Sequence, residues 1–323
     1  MSSNTSNLKS PEISFLEMAH GDRSYELAKE KGIDPDSILD LSASLNPLAP
    51  DIASMARKYL SSLSRYPDSY AAQCQLADAI GVSPERLILT NGGSEAISLV
   101  ATLKPEGQVI EPEFSLYRRH LKTVGKSFPI WRSNPSNPLG KLLDASQKAD
   151  IYDEAFYQLA TGTWSRGAFE KDAFILGSLT KLFACPGLRV GYIISPDENL
   201  AATIRDLQPK WSVGSLALSL IPDLIELATN EMKHWAQGIK ELRTSLFSLF
   251  CSFGYTPFDS DANYIVVPGA RHLIGPLADK GIFVRDAKSF GLDAIRVAVP
   301  NNDGQIRLLT ALKEICNETR ANG

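Results

Sequence analysis

Residues 177–192 read GSLTKLFACPGLRVGY. Ser178, Thr180 and Lys181 follow directly on an apolar run, and Arg189 comes eight residues after the lysine. A lysine at a strand end can form a Schiff base with an aldehyde. Hydroxyls beside it and an arginine just beyond can hold a phosphate carried by the same molecule. An isolated S-x-T-K would be an ordinary surface turn. The attached GLRVGY favours a phosphate-bearing aldehyde as ligand.

Four further segments add to this one. In residues 90–97 (TNGGSEAI), glycines allow a ligand close to the backbone, and a helix start offers free N–H groups to a phosphate, with Gly93, Ser94 and Glu95 as candidates. In residues 152–156 (YDEAF), Asp153 at a strand end can pair with a pyridine nitrogen and keep it protonated, which makes the ring an electron sink. In residues 133–140 (SNPSNPLG), Asn137 sits in an Asn-Pro turn and can donate to a phenolic oxygen. In residues 111–117 (EPEFSLY), Phe114 or Tyr117 can stack on a flat ring. Each of these four alone is ordinary turn, cap or core chemistry. Their order, each at the expected carboxyl end of a strand, is what ligand sites in open α/β sheets require.

The positioning elements are short apolar runs: residues 87–90 (LILT), 108–111 (QVIE), 128–131 (FPIW), 173–177 (AFILG) and 190–194 (VGYII). With helical spacing over 94–103 between the first two, they predict a mostly parallel sheet with helical crossovers. Residues 216–253 read as one or two long helices, with Pro222 near a start or break. Strand-like runs follow at 263–267, 281–285 and 294–299, then a helix over 302–315 capped by Asn301 or Asn302. The expected division is an arm, 1–45, packing with a small C-terminal α+β domain, 216–323, beside a large ligand-binding domain, 46–215.

The chain has 323 residues, a formal charge of −4 and 44% hydrophobic residues, as ordinary globular proteins do. Slight acidity argues against a nucleic-acid partner, and no apolar run approaches the ~20 residues that span a bilayer. Cys74, Cys185, Cys251 and Cys316 form no C-x-x-C pair, and the four histidines show no ligand spacing. The expectation is a cytoplasmic protein with neither metal nor disulfide. The polar N-terminus has no apolar core of a signal peptide.

Together these segments resemble the fold-type I pyridoxal-phosphate enzymes of the aspartate aminotransferase superfamily, over nearly the whole chain. Within it the chain resembles the histidinol-phosphate aminotransferase branch, and most closely the threonine-phosphate decarboxylases of cobalamin biosynthesis. The resemblance implies an α/β fold with a large, mostly parallel sheet plus a smaller α+β domain. It implies pyridoxal 5'-phosphate on Lys181, with Asp153, Gly93, Ser94, Glu95, Phe114, Asn137, Ser178, Thr180 and Arg189 around it. His20-Gly21 and Asn46, in GIDPDSILDLSASLNPLAP, resemble the decarboxylases' opening, which touches substrate. Tyr66 in RYPDSY resembles the tyrosine that reaches a neighbouring subunit's cofactor phosphate, so a homodimer with shared sites is implied. Arg296 (IRVAVP) matches the arginine for the substrate carboxylate, and Arg285 (GIFVRD) the one for its phosphate; guanidinium suits both anions.

Phe156 replaces a common tyrosine, and Leu139 a common threonine. Only residues 141–152 separate Gly140 from Asp153, so a crossover helix is expected to be missing. The implied reaction is decarboxylation of L-threonine O-3-phosphate to (R)-1-amino-2-propanol O-2-phosphate. The alternatives are transamination of histidinol phosphate or a related phosphorylated amine, decarboxylation of L-serine O-phosphate, and cofactor binding without catalysis. Which bond at Cα breaks is set by substrate orientation, which sequence does not fix.

Overall fold

The computed structural model describes residues 24–144 and 146–322. Twelve strands occur among them: β1 (Leu39–Asp40), β2 (Leu87–Asn91), β3 (Glu106–Val109), β4 (Thr123–Val124), β5 (Ile130–Ser133), β6 (Ile151–Asp153), β7 (Phe174–Ser178), β8 (Val190–Ile194), β9 (Tyr264–Pro268), β10 (Ile282–Phe283), β11 (Arg285–Asp286) and β12 (Ala294–Ala298). Seven form one sheet in the order β2-β8-β7-β6-β5-β3-β4. The pairs are parallel except that β8 runs against both β2 and β7. The reversal matters for chemistry. It brings the start of β8 to the edge where the other strands end, so that Asn91 pairs with Val190 and Ser178 with Gly191. Arg189, which precedes its strand, thereby joins residues that follow theirs.

Side chains alternate across this sheet, as the two-residue period of a strand requires. Leu87, Leu89, Ile175, Tyr192 and Ile194 face one core, with the first half of the long helix against them. Ile88, Leu176 and Ile193 face the other, under Ile97 and Val100 of the helix Gly92–Leu103. Burial on both faces explains why these strands read as unbroken apolar runs.

Where structure and sequence reading differ, the causes are local. The strand expected at 108–111 is β3, two residues earlier, because Glu111 turns the chain: its carboxylate accepts from Glu113 N (2.8 Å) and pairs with Arg118. The run 281–285 splits, β10 pairing with β1 and β11 with β12. The region 216–253 is one helix, Ser215–Ser252, with Pro222 inside it. Its residues through Ile239 lie in the core of the large sheet, whereas Leu246 and Phe250 pack with β9 and β12. The expected division at 215/216 thus falls at the start of a helix that serves both cores. None of the described residues of 134–150 is helical, in line with the shortened crossover. Asn301 caps the last helix, Oδ1 accepting from Gly304 N at 2.9 Å. Leu27 and Ala28 pack on Ala278 and Phe283, which brings the described part of the arm onto the C-terminal region. No helix among the described residues is long and apolar enough to cross a membrane.

Candidate active site

Strand β7 is wholly buried, and the turn Leu179–Leu182 carries Lys181 off its end. Lys181 Nζ donates to Ala43 O at 3.0 Å. Burial, followed by the charges of Arg296 and Arg285, lowers its pKa to about 8. The amine is the nucleophile only when neutral. At pH 7 about a tenth of it is neutral, from that pKa of about 8. Uptake of a pyridoxal aldehyde by cofactor-free protein should therefore quicken between pH 7 and 9 and level off above. Stopped-flow absorbance checks this; a rate that climbs only near the pKa of an ordinary lysine contradicts it.

Beside Lys181, two positive features converge. Gly92 opens the helix Gly92–Leu103 with φ +73°, and a methyl there would lie 2.4 Å from an Arg189 guanidinium nitrogen. Gly191 permits this approach, since a Cβ on it would meet Gly92 C at 2.5 Å. A guanidinium against a helix N-terminus sets like polarities together, and the arrangement is favourable with an anion between them. A methyl on Gly93 would sit 3.6 Å from Ser178 Cβ, so the serine lies at the same helix start. Thr180 Oγ1 is buried with no hydrogen-bond partner among the described residues. Ser94 is exposed at the helix start. Glu95 is turned elsewhere: its carboxylate accepts from Asn91 N (2.7 Å), Gln208 Nε2 (3.1 Å) and the Ser212 hydroxyl. The helix starts at Gly92, so the N–H groups left open to a ligand are those of Gly92, Gly93 and Ser94, and the Glu95 N–H is already taken up within the helix.

Asp153 ends β6. Its Oδ2 accepts from Tyr117 Oη at 2.9 Å and its Oδ1 from Ala155 N at 3.0 Å. Burial raises its pKa, and these two hydrogen bonds oppose the rise. Tyr117 is fully buried on Trp131, whereas Phe114 is half-buried, edge-on to Tyr117 at 5.9 Å. The structure thus separates the two aromatics: Tyr117 is buried against the acid, and Phe114 stays partly exposed.

Arg285 and Arg296 are paired residues on β11 and β12, both about 95% buried. Arg296 Nη1 donates to Asn137 Oδ1 (2.7 Å) and Nη2 to Ser42 O (3.2 Å), its guanidinium lies 4.7 Å over Tyr264, and its Nε is buried with no partner among the described residues. Arg285 lies 4.9 Å over Phe290. Like charges directly opposite on neighbouring strands repel, so this pairing favours a ligand with two anionic groups.

Residues 113–311 match the family model described as aminotransferase class I and II. This chain belongs to that family. Its cofactor is pyridoxal 5'-phosphate, which the residues fit: a partly neutral lysine, a helix start with an arginine for a phosphate, and a buried acid for a ring nitrogen. The family member named threonine-phosphate decarboxylase from Salmonella typhimurium is 28% identical, over 94% of this chain and 98% of its own length. A histidinol-phosphate aminotransferase from Dechloromonas aromatica is 23% identical over 90% and 93%. Among solved structures, the histidinol-phosphate aminotransferase of Sinorhizobium meliloti, in complex with pyridoxal-5'-phosphate, superposes with TM-score 0.80 at 16% identity, covering 97% of this chain and 99% of its own. The L-threonine-O-3-phosphate decarboxylase of Porphyromonas gingivalis gives 0.73 at 18%, covering 87% and 100%.

Asn46 spends its amide on the backbone, Nδ2 donating to Leu182 O (2.8 Å) and Oδ1 accepting from Leu48 N (3.0 Å), while its N–H donates to Lys181 O (3.0 Å). It clasps the turn that carries the lysine. Tyr66 is 80% exposed, its ring 4.8 Å from that of Trp211. Phe156 is buried edge-on to Tyr264 at 5.1 Å and brings no hydroxyl. His20 and Gly21 lie outside the described residues. Sequence reasoning missed Tyr117 as the partner of Asp153, and Ser42 and Ala43 as carbonyl acceptors. Backbone acceptors leave no trace in residue type, whereas Tyr117, three residues after Phe114, had a helical spacing to signal it.

Proposed function

We propose that this family member decarboxylates L-threonine O-3-phosphate, giving 1-amino-2-propanol O-2-phosphate for the cobalamin nucleotide loop. The observation that carries the reading is the buried cross-strand pair Arg285 and Arg296. Threonine phosphate bears a carboxylate and a phosphate at once, so it neutralises both. Histidinol phosphate has a phosphate and no carboxylate, so it would engage only one of the two arginines. The similarity to the Salmonella decarboxylase supports the same choice.

When bound, the cofactor supplies an aldehyde for the amine and a ring that accepts the electron pair released at Cα. Lys181 provides the attachment nitrogen and, freed from it, a base or acid within the site to return a proton to Cα. Asp153, steadied by Tyr117 and Ala155, holds a proton on the ring nitrogen. Ser178, Arg189 and the N–H groups after Gly92 grip the cofactor phosphate. Arg296, braced by Asn137 and Ser42, takes the substrate carboxylate, and Arg285 the substrate phosphate. Holding both ends of the substrate would fix its orientation, and orientation decides which bond at Cα is broken. Phe114 covers the ring. Tyr66, on the surface beside Trp211, is assigned to the second subunit's site in a homodimer.

Serine phosphate lacks one methyl, a difference worth about 1–3 kcal/mol in an apolar pocket, so it is expected to react more slowly. Incubation of the holoenzyme with threonine phosphate alone is expected to release one carbon dioxide per substrate. Turnover only when 2-oxoglutarate is supplied would overturn the decarboxylase reading in favour of transamination.

A further inference from the structure

Glu113 is a buried acid that the steps above do not use; it is 4% exposed. It lies between two site elements, one residue before Phe114 and facing the end of β5. Its Oε1 accepts from Ser133 N (3.0 Å), and its Oε2 accepts from Ser133 Oγ (2.6 Å) and Phe114 N (3.2 Å). The carboxyl group therefore holds both polar groups of Ser133. Ser133 Oγ in turn accepts from Asn137 N at 2.7 Å, and Asn137 Oδ1 accepts from Arg296 Nη1 at 2.7 Å. Glu113, Ser133 and Asn137 are all buried, so each of these bonds is made away from competing water. The chain runs from the interior of the large sheet to a guanidinium on β12, across the junction of the two sheets.

We propose that Glu113 is a positioning residue for the substrate carboxylate: by clamping Ser133 it fixes the Asn137 turn, and the turn fixes Arg296. A buried carboxyl group is costly to hold, and burial pushes this one up to about 8. An aliphatic side chain would fill the same space at lower cost. The three hydrogen bonds supply the reason for an acid, because only a two-oxygen acceptor satisfies Ser133 N, Ser133 Oγ and Phe114 N together. The proposal rests on the reading that Arg296 takes the carboxylate.

The test compares two constants on the holoenzyme: KM for threonine phosphate, which has the carboxylate, and Ki for 1-amino-2-propanol phosphate, which lacks it. Glu113→Ala and Ser133→Ala are each expected to raise KM about tenfold, the effect of one lost hydrogen bond to a charged group's support. The double variant is expected to be no worse than either single one, because both break the same chain. Ki should stay within about twofold of wild type, since a carboxylate-free ligand does not call on Arg296. Glu113→Gln, which keeps part of the clamp, should recover much of the loss. Ser133→Ala deletes a single oxygen and carries the test even if Glu113→Ala fails to fold. Singles that multiply to about a hundredfold, or a Ki that rises in step with KM, overturn the proposal. Arg296→Ala run alongside tells the two levels apart. If it raises KM while Ser133→Ala does not, the chain through Ser133 is wrong; if it leaves KM unchanged, the carboxylate assignment fails and the proposal with it.

Discussion

Arg285→Ala is expected to lower kcat/KM for threonine phosphate by about a hundredfold or more, and for unphosphorylated threonine by far less, since truncating a buried charge partner costs about 2–5 kcal/mol. The β11–β12 pairing sets the two arginines directly opposite one another, and both are buried. Arg296 is already engaged by Asn137 and Ser42, so its orientation is fixed before substrate arrives. Arg285, the second buried cation of the pair, is assigned the second anionic group. Arg296→Ala, by contrast, should damage both substrates alike, because both carry a carboxylate. Steady-state kinetics with the two amino acids decide between these roles. Equal losses on Arg285→Ala would show that this arginine does not bind the phosphate.

Lys181→Ala is expected to abolish turnover, a loss of about four orders of magnitude or more, because no other amine stands in for an activated nucleophile. The cradle of Ser178, Arg189 and the helix start at Gly92 is untouched by the change. The variant should therefore still bind pyridoxal phosphate, without the absorbance band of the lysine-bound form. Absorbance and carbon dioxide release measured together check both halves. A variant with an unchanged spectrum would refute the assignment of Lys181.

Much of this arrangement was legible in the sequence, because it depends on residue types at strand ends. Strands β2 and β8 read as apolar runs since both their faces are buried, and the residues at their edge stood out as the polar breaks between runs. The turn after β7, with Ser178, Thr180 and Lys181, needed no tertiary information. What stayed hidden depends on pairing. That β8 runs backward, which lets Arg189 reach Gly92, follows from sheet register rather than from its own residues. The backbone contacts of Asn46 were not legible because their partners are main-chain carbonyl and N–H groups, which every residue has. What separates Phe114 from Tyr117 is burial: one ring is partly exposed, and the other is sunk against Trp131 with its hydroxyl on Asp153. Nothing in its type or spacing marks Glu113, whereas its three donors do.

The central claim is that one side chain, at position 181, anchors the cofactor. Reduction of the holoenzyme with borohydride, followed by proteolysis and mass mapping, tests it most directly. The expected result is a single pyridoxyl label on the peptide that contains Lys181. A label on any other lysine, or none after reduction of fully loaded protein, would contradict the account.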